Sequence, residues 1–196
     1  MNPTEPVLTQ EHKELLYLIS RLTDSLNCPT TWVKETPLQA LIFYAIRKGV
    51  FNEYDYAPIS SSFLGQGRKF VNISKEGEDD LGDLREMGLL ETIRLSSTKH
   101  DYITGYRPTV ESRKHLSQFE NEVKNRIDNL FVCPECNKPT FDLVIDVEKS
   151  GFIMNCKSCT YQEDIPLVEP EDVSYSTKAY FFKTLGKHKN LTEDNK

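Results

Sequence analysis

The stretch "CPECNKPTFDLVIDVEKSGFIMNCKSC" carries the residues best suited to chemistry in this chain. Cys133 and Cys136 form one Cys-x-x-Cys pair, Cys156 and Cys159 a second, and nineteen residues separate the pairs. Tetrahedral zinc takes four ligands, and thiolates bind it at about 2.3 Å. A Cys-x-x-Cys turn presents two sulfurs on one side of a tight knuckle, so two knuckles complete the shell. With no export signal in view, such pairs read as metal ligands before disulfides.

Other cysteine chemistries fit less well. A redox Cys-x-x-Cys, for which CPEC alone would qualify, expects a thioredoxin-like βαβ unit and gives CKSC no role. Rubredoxin-type iron favours Gly after each pair, whereas Asn137 and Thr160 stand there, and of these only Asn accepts a left-handed turn comfortably. A zinc deaminase wants His-x-Glu ahead of Pro-Cys-x-x-Cys; the "HKE" at His12–Glu14 lies far upstream, and no Pro precedes CPEC. A shell of four thiolates leaves no position for a reacting water. One structural Zn²⁺ is therefore the expected cofactor. A module of about 35 residues has little core, and zinc contributes on the order of 10–16 kcal/mol to such folds.

The elements around the cysteines suit that role. Residues 140–147 alternate as a strand, 148–151 are turn text, 152–155 return, and 161–165 supply a third strand. A hairpin that brings two knuckles together is a zinc ribbon. Elsewhere, HExxH, GxSxG and Walker signatures are missing, and "GQGRKF" lacks the G-K-[ST] end that cradles phosphate. His100 and His115 have no nucleophile paired with them in the text. The chain is expected not to be an enzyme.

The preceding text is helical at first. Leu15, Leu18, Ile19, Leu22 and Leu26 recur at helical spacing behind a Thr9 cap, and the lone Cys28 reads as packing or surface. In TPLQALIFYAIRKG, Thr36 caps, Pro37 starts and Gly49 closes a core helix with Leu38, Leu41, Ile42, Ala45 and Ile46 buried. Residues 51–67 read as irregular and 68–74 as a short strand. KEGEDDLGDLREMGLLETIRL reads as a helix ended by Gly88 and running into a strand, and YITGYRPT as a second strand. Residues 110–131 read as one helix of roughly 33 Å whose seam, Leu116, Phe119, Val123, Ile127 and Leu130, is expected to pack back on the N-terminal helix, with pairing to a second chain as the alternative.

"DLREMGLLE" followed by "YITGYRPTVESRKHL" resembles the helix end and wing of MarR- and PadR-type winged-helix proteins. Pro108 and Ser112 depart from that pattern, standing where those families have an apolar residue and often Gly. The order winged helix, long helix, Cys₄ ribbon also resembles the large subunit of transcription factor IIE and its archaeal relative, with "FVCPEC" the best local match. That resemblance implies a non-catalytic bridge between parts of a transcription assembly. Carried over by residue, it implies only Cys133, Cys136, Cys156 and Cys159 as ligands.

Charge decides between partners. The formal charge is −6, and four thiolates around Zn²⁺ would take it to −8, against a dedicated nucleic-acid binder. Apolar residues make up 38 % and charged residues 28 %, as expected of a soluble globular protein, and no run could span a bilayer. Without a basic-then-apolar leader, the cytoplasm is the expected compartment, or the nucleus in a eukaryote. In a DNA-reading winged helix, the helix before the wing enters the major groove. Here its outward residues are Glu78, Asp79, Asp83 and Glu86. They would repel phosphates, so this face is expected to dock protein. Arg94, Lys99, His100 and Arg107 make a mildly basic wing, continued by Arg113, Lys114 and His115 and by tail lysines such as Lys178 and Lys183. These are the candidate nucleic-acid contacts.

The resulting expectation is an α+β protein: an N-terminal helix in residues 1–29, a winged helix in 30–109, a connecting helix in 110–131, a zinc ribbon in 132–168 and a tail in 169–196. It would act as a non-enzymatic adaptor within a larger, transcription-related protein assembly. DNA binding through the wing is the alternative.

Overall fold

The computed structural model describes residues 7–23, 32–63, 68–97, 100–146 and 151–168. Cys28, Lys99 and the tail lysines lie outside the described residues, as does the side chain of His100. The fold is α+β. No described helix is long and apolar enough to cross a membrane.

The body begins with α1 (Gln10–Thr23), whose first turn is capped by the Thr9 hydroxyl accepting the His12 N–H at 3.1 Å. Then come β1 (Val33–Lys34) and α2 (Glu35–Arg47). Every residue of α2 from Leu38 to Ala45 is buried, so this helix is central to the core. Its start differs from expectation: Lys34 occupies the N-cap without a side-chain bond, and Thr36 lies inside the helix. The close follows the sequence, with Gly49 at φ +69°, where a side chain would be strained.

Residues 51–67, read as irregular, include β2 (Ala57–Ser62), which pairs antiparallel with β3 (Arg68–Ile73). Pro58 and three serines hide this strand, because they carry little β propensity. Next, α3 (Lys75–Glu86) is capped by Ser74, whose hydroxyl accepts the Gly77 N–H at 3.2 Å. Beyond Gly88 (φ +74°) come β4 (Leu90–Ser97) and β5 (His100–Pro108). Their sheet has the order β1-β5-β4, with Val33 opposite Tyr106. Gly105 lets the strands approach closely there, since a Cβ would meet Ile93 at 3.2 Å and Trp32 at 3.5 Å.

The single helix expected over 110–131 is two shorter ones, α4 (Ser112–Gln118) and α5 (Asn121–Asn129). Phe119 between them is extended (φ −63°, ψ 140°) and buries its ring. Both pieces pack on α1, and the break lets the two halves follow different parts of it. Polar links fix the pairing. Arg126 bridges buried Glu14 at 2.6 Å, and Asp128 takes Arg21 and Tyr17, both at 3.1 Å. The seam of Val123, Ile127 and Leu130 is thus buried within the chain.

The last three strands, β6 (Phe141–Asp146), β7 (Gly151–Cys156) and β8 (Gln162–Ile165), form an antiparallel sheet in chain order. It does not stand apart on a stalk. Phe152 meets Phe63 edge-on at 5.6 Å, and the Leu167 carbonyl accepts the Asn72 N–H at 2.7 Å. Glu163 takes Lys48 at 2.8 Å and the Tyr44 hydroxyl at 3.1 Å. One apolar core therefore runs through both body and sheet.

Candidate metal centre

Cys133 and Cys136 lie in the turn that follows α5, and Cys156 ends β7 with Cys159 in the turn beyond it. In the first knuckle the Cys133 carbonyl accepts the Asn137 N–H at 2.8 Å, while the Cys133 N–H donates to Lys138 at 2.9 Å. Asn137 adopts φ 55°, the left-handed conformation its short amide tolerates. In the second, the Cys156 N–H donates to Tyr161 at 3.1 Å, and the Lys157 N–H to Thr140 at 2.9 Å. This last bond ties the second knuckle to the segment leading out of the first.

All four sulfurs lie within 4.8 Å of one another. Cys133 faces Cys159 at 3.6 Å, and Cys136 faces Cys156 at 3.6 Å. Both separations are far beyond a disulfide bond of about 2.05 Å. A tetrahedron of thiolates about 2.3 Å from a central ion has edges of about 3.8 Å. The sulfurs are therefore spaced as ligands of one metal ion.

The acid–base chemistry fits the same conclusion. The Thr140 hydroxyl at 3.4 Å, against the opposing pull of burial, and the Ser158 N–H at 3.3 Å bring the Cys156 thiol down to about 6. Cys159 goes the other way. A Tyr161 backbone hydrogen bond favours its thiolate, but burial and the neighbouring cysteine sulfurs push it up to about 12. One thiol ionises easily and then resists ionisation of its neighbours, a conflict that a central cation removes.

The other candidate residues are placed less as expected. Asp79 and Glu86 are exposed on α3, with Asp79 bound to Lys75 at 2.7 Å. Glu78 is half-buried, and that burial raises its carboxyl above its usual range; it does not share the fully outward face expected of it. Asp83 is exposed but leans toward α1, 3.8 Å from His12. On the β4–β5 hairpin, Arg94 is exposed, whereas Arg107 is held by Glu91 at 2.6 Å and stacks on Trp32 at 4.4 Å. Arg107 thus packs β5 against the segment that leads into β1. Among the described residues, the side chains brought together as possible metal ligands are the four cysteines and, separately, His12 with Asp80 and Asp83. His12 and Asp80 belong to different helices, so no local spacing announces the second group.

The model of the Uncharacterized protein MJ1567 family matches residues 11–165, from the start of α1 to the end of β8. The chain is also 32 % identical over 92 residues to "Translation initiation factor 2 subunit beta" of Methanopyrus kandleri, covering 47 % of this chain. It spans 62 % of the length of that relative.

Proposed function

The chain belongs to the MJ1567 family, and from that premise we propose that it is a non-enzymatic zinc-binding adaptor of the translation-initiation machinery. The observation that carries this reading is the four-thiol centre itself. Four protein ligands fill a tetrahedral shell, so zinc there serves to hold the fold and not to activate water. The likeness to an initiation-factor subunit favours translation over the transcription assembly that the order of elements implied. That relative is one subunit of a factor, which suits a chain that works by protein contacts.

The body reads as a winged helix. The order α1, β1, α2, α3, β4, β5 with sheet order β1-β5-β4 supports it, with hairpin β2–β3 inserted after the second helix. The surfaces suit protein docking better than DNA. Asp79 and Glu86 are exposed on α3, Leu95 is 53 % exposed on the wing and Phe70 is 52 % exposed on the β2–β3 hairpin. Of the four wing residues suggested for DNA, Arg107 is already engaged within the chain.

The test is co-sedimentation of the zinc-loaded chain with translation pre-initiation complexes and, in parallel, with RNA polymerase. Association with the former, lost in Asp79→Lys with Glu86→Lys while the fold stays intact, is the expected result. Association with polymerase alone would return the reading to transcription. Binding to neither, with salt-sensitive binding to duplex DNA that Arg94→Ala weakens, would replace the adaptor by a DNA-binding regulator.

A further inference from the structure

We propose that His12, Asp80 and Asp83 form a second divalent-cation site, which clamps α1 to α3. This site is separate from the cysteine centre and does not depend on the adaptor reading.

His12 is 5 % exposed, and its Nε2 makes no hydrogen bond. It nevertheless points at two carboxylates, with Asp80 Oδ1 at 3.3 Å and Asp83 Oδ2 at 3.8 Å. Its Nε2 is within ion-pair reach of both acids but aligned for a hydrogen bond with neither, so this buried nitrogen is incompletely satisfied as it stands. The three ligand atoms lie within 4.8 Å of one another. Ligands about 2.1 Å from a shared ion, at angles between octahedral and tetrahedral, sit about 3.0–3.4 Å apart. His12 and Asp80 already have that separation. Asp83, whose side chain is 58 % exposed, can close the remaining gap by a rotamer change and leaves water access to the open positions.

The surroundings favour a cation. The second oxygen of Asp80 accepts the hydroxyl of buried Tyr54 at 2.5 Å, the outer partner that orients a carboxylate ligand. Glu11 and Glu14 add negative potential around Tyr54. One imidazole with two carboxylates suits a borderline divalent ion such as Zn²⁺ or Co²⁺, in contrast to the soft thiolate set of the sheet module.

The His12 Nδ1 accepts the Thr9 N–H at 3.3 Å, which places the ring proton of neutral His12 on Nε2. Ligation through Nε2 uses the lone pair of that nitrogen, leaves the ring proton on Nδ1 and so ends the Thr9 contact. Thr9 precedes the first turn of α1, where the backbone can adjust. Its amide therefore reports on the site.

The experiment titrates Co²⁺ into the full chain already loaded with zinc at the cysteines, read by ¹H–¹⁵N NMR. Thiolate-to-Co²⁺ charge-transfer absorption monitors whether the cysteine zinc stays in place. One further equivalent should bind, with the Thr9 and His12 signals shifted or broadened. Asp83→Asn, an exposed change that leaves the core intact, should weaken binding about tenfold or more. His12→Gln should abolish it. Unperturbed Thr9 and His12 signals up to about 1 mM Co²⁺, or equal affinity in Asp83→Asn, would overturn the proposal and leave His12 as a buried electrostatic partner of Asp80.

Discussion

The helical body and the β6-β7-β8 module are joined by one core, yet they are stabilised by different physics. Leu15, Leu16, Leu18, Ile19, Leu38 and Ile42 are all fully buried in the body. Burying each such side chain contributes about 1.5–3 kcal/mol. The strand module offers Phe141, Phe152, Met154 and Ile165, while Val144 and Ile145 on its outer strand are each 40 % exposed. That is a small apolar set for a three-stranded sheet and two knuckles, even with Leu143, Tyr161 and Leu167 packed against it. A metal ion held by the four cysteines would make up the difference, and the expectation is that the body tolerates its loss and the strand module does not.

The largest effect should come from the metal. Chelation, or Cys133→Ser, removes stabilisation on the order of 10–16 kcal/mol from the strand module. NMR should show β6 to β8 losing dispersion while the α1 and α2 signals persist. A full set of β6–β8 signals without metal would break the contrast, because apolar burial alone would then suffice. The reciprocal change is Ile42→Ala. Its side chain is fully buried beside Gly77, and a truncation of this kind costs about 2–5 kcal/mol. Denaturant unfolding followed by helical circular dichroism should show that loss. The metal stoichiometry at the cysteines should stay at one. If Ile42→Ala also released the metal, the two regions would form one cooperative unit.

The contrast also explains what could be read beforehand. The cysteine module was legible nearly to the residue, because ligand spacing is local and the alternating strands lie between the ligands. Gly49, Gly88 and Asn137 were legible for the same reason, each marking a left-handed backbone position. Long-range geometry was not. The break at Phe119 comes from packing two helix halves on α1, and the apolar seam is the same with or without it. Strand β2 is set by pairing with β3 against weak local propensity. His12 and Asp80 meet only because α1 lies against α3, and the inward turn of Asp80 was masked by the acidic residues around it.

A smaller effect tests the α1–α3 contact inside the body. The Tyr54 hydroxyl donates to Asp80 at 2.5 Å, and burial first, then Asp80, raise its phenol above the usual range. It stays a neutral donor across the working pH. Tyr54→Phe removes a hydrogen bond to a charged acceptor, worth about 1.5–3 kcal/mol. Thermal unfolding should report the loss, with the cysteine centre unaffected. No change in stability would mean that solvent replaces the bond at Asp80.

The smallest predicted effect lies on the seam between the two regions, and it sharpens the comparison most. Glu163 on β8 receives Lys48 at 2.8 Å and the Tyr44 hydroxyl at 3.1 Å, both from the C-terminal end of α2. Lys48 is 43 % exposed at its side chain, so its ion pair contributes little. Tyr44 is buried, and its bond to the carboxylate is the stronger part. Glu163→Gln keeps an acceptor for that hydroxyl and loses only charge, so it should cost about 0.5–1 kcal/mol. Glu163→Ala leaves the hydroxyl without its partner and should cost about 1–3 kcal/mol. Amide exchange should show where the loss falls. Faster exchange confined to β7 and β8 means that the strand module detaches before the body opens. Equal acceleration along α2 would mean that the seam transmits the opening, and that the metal stabilises both regions after all.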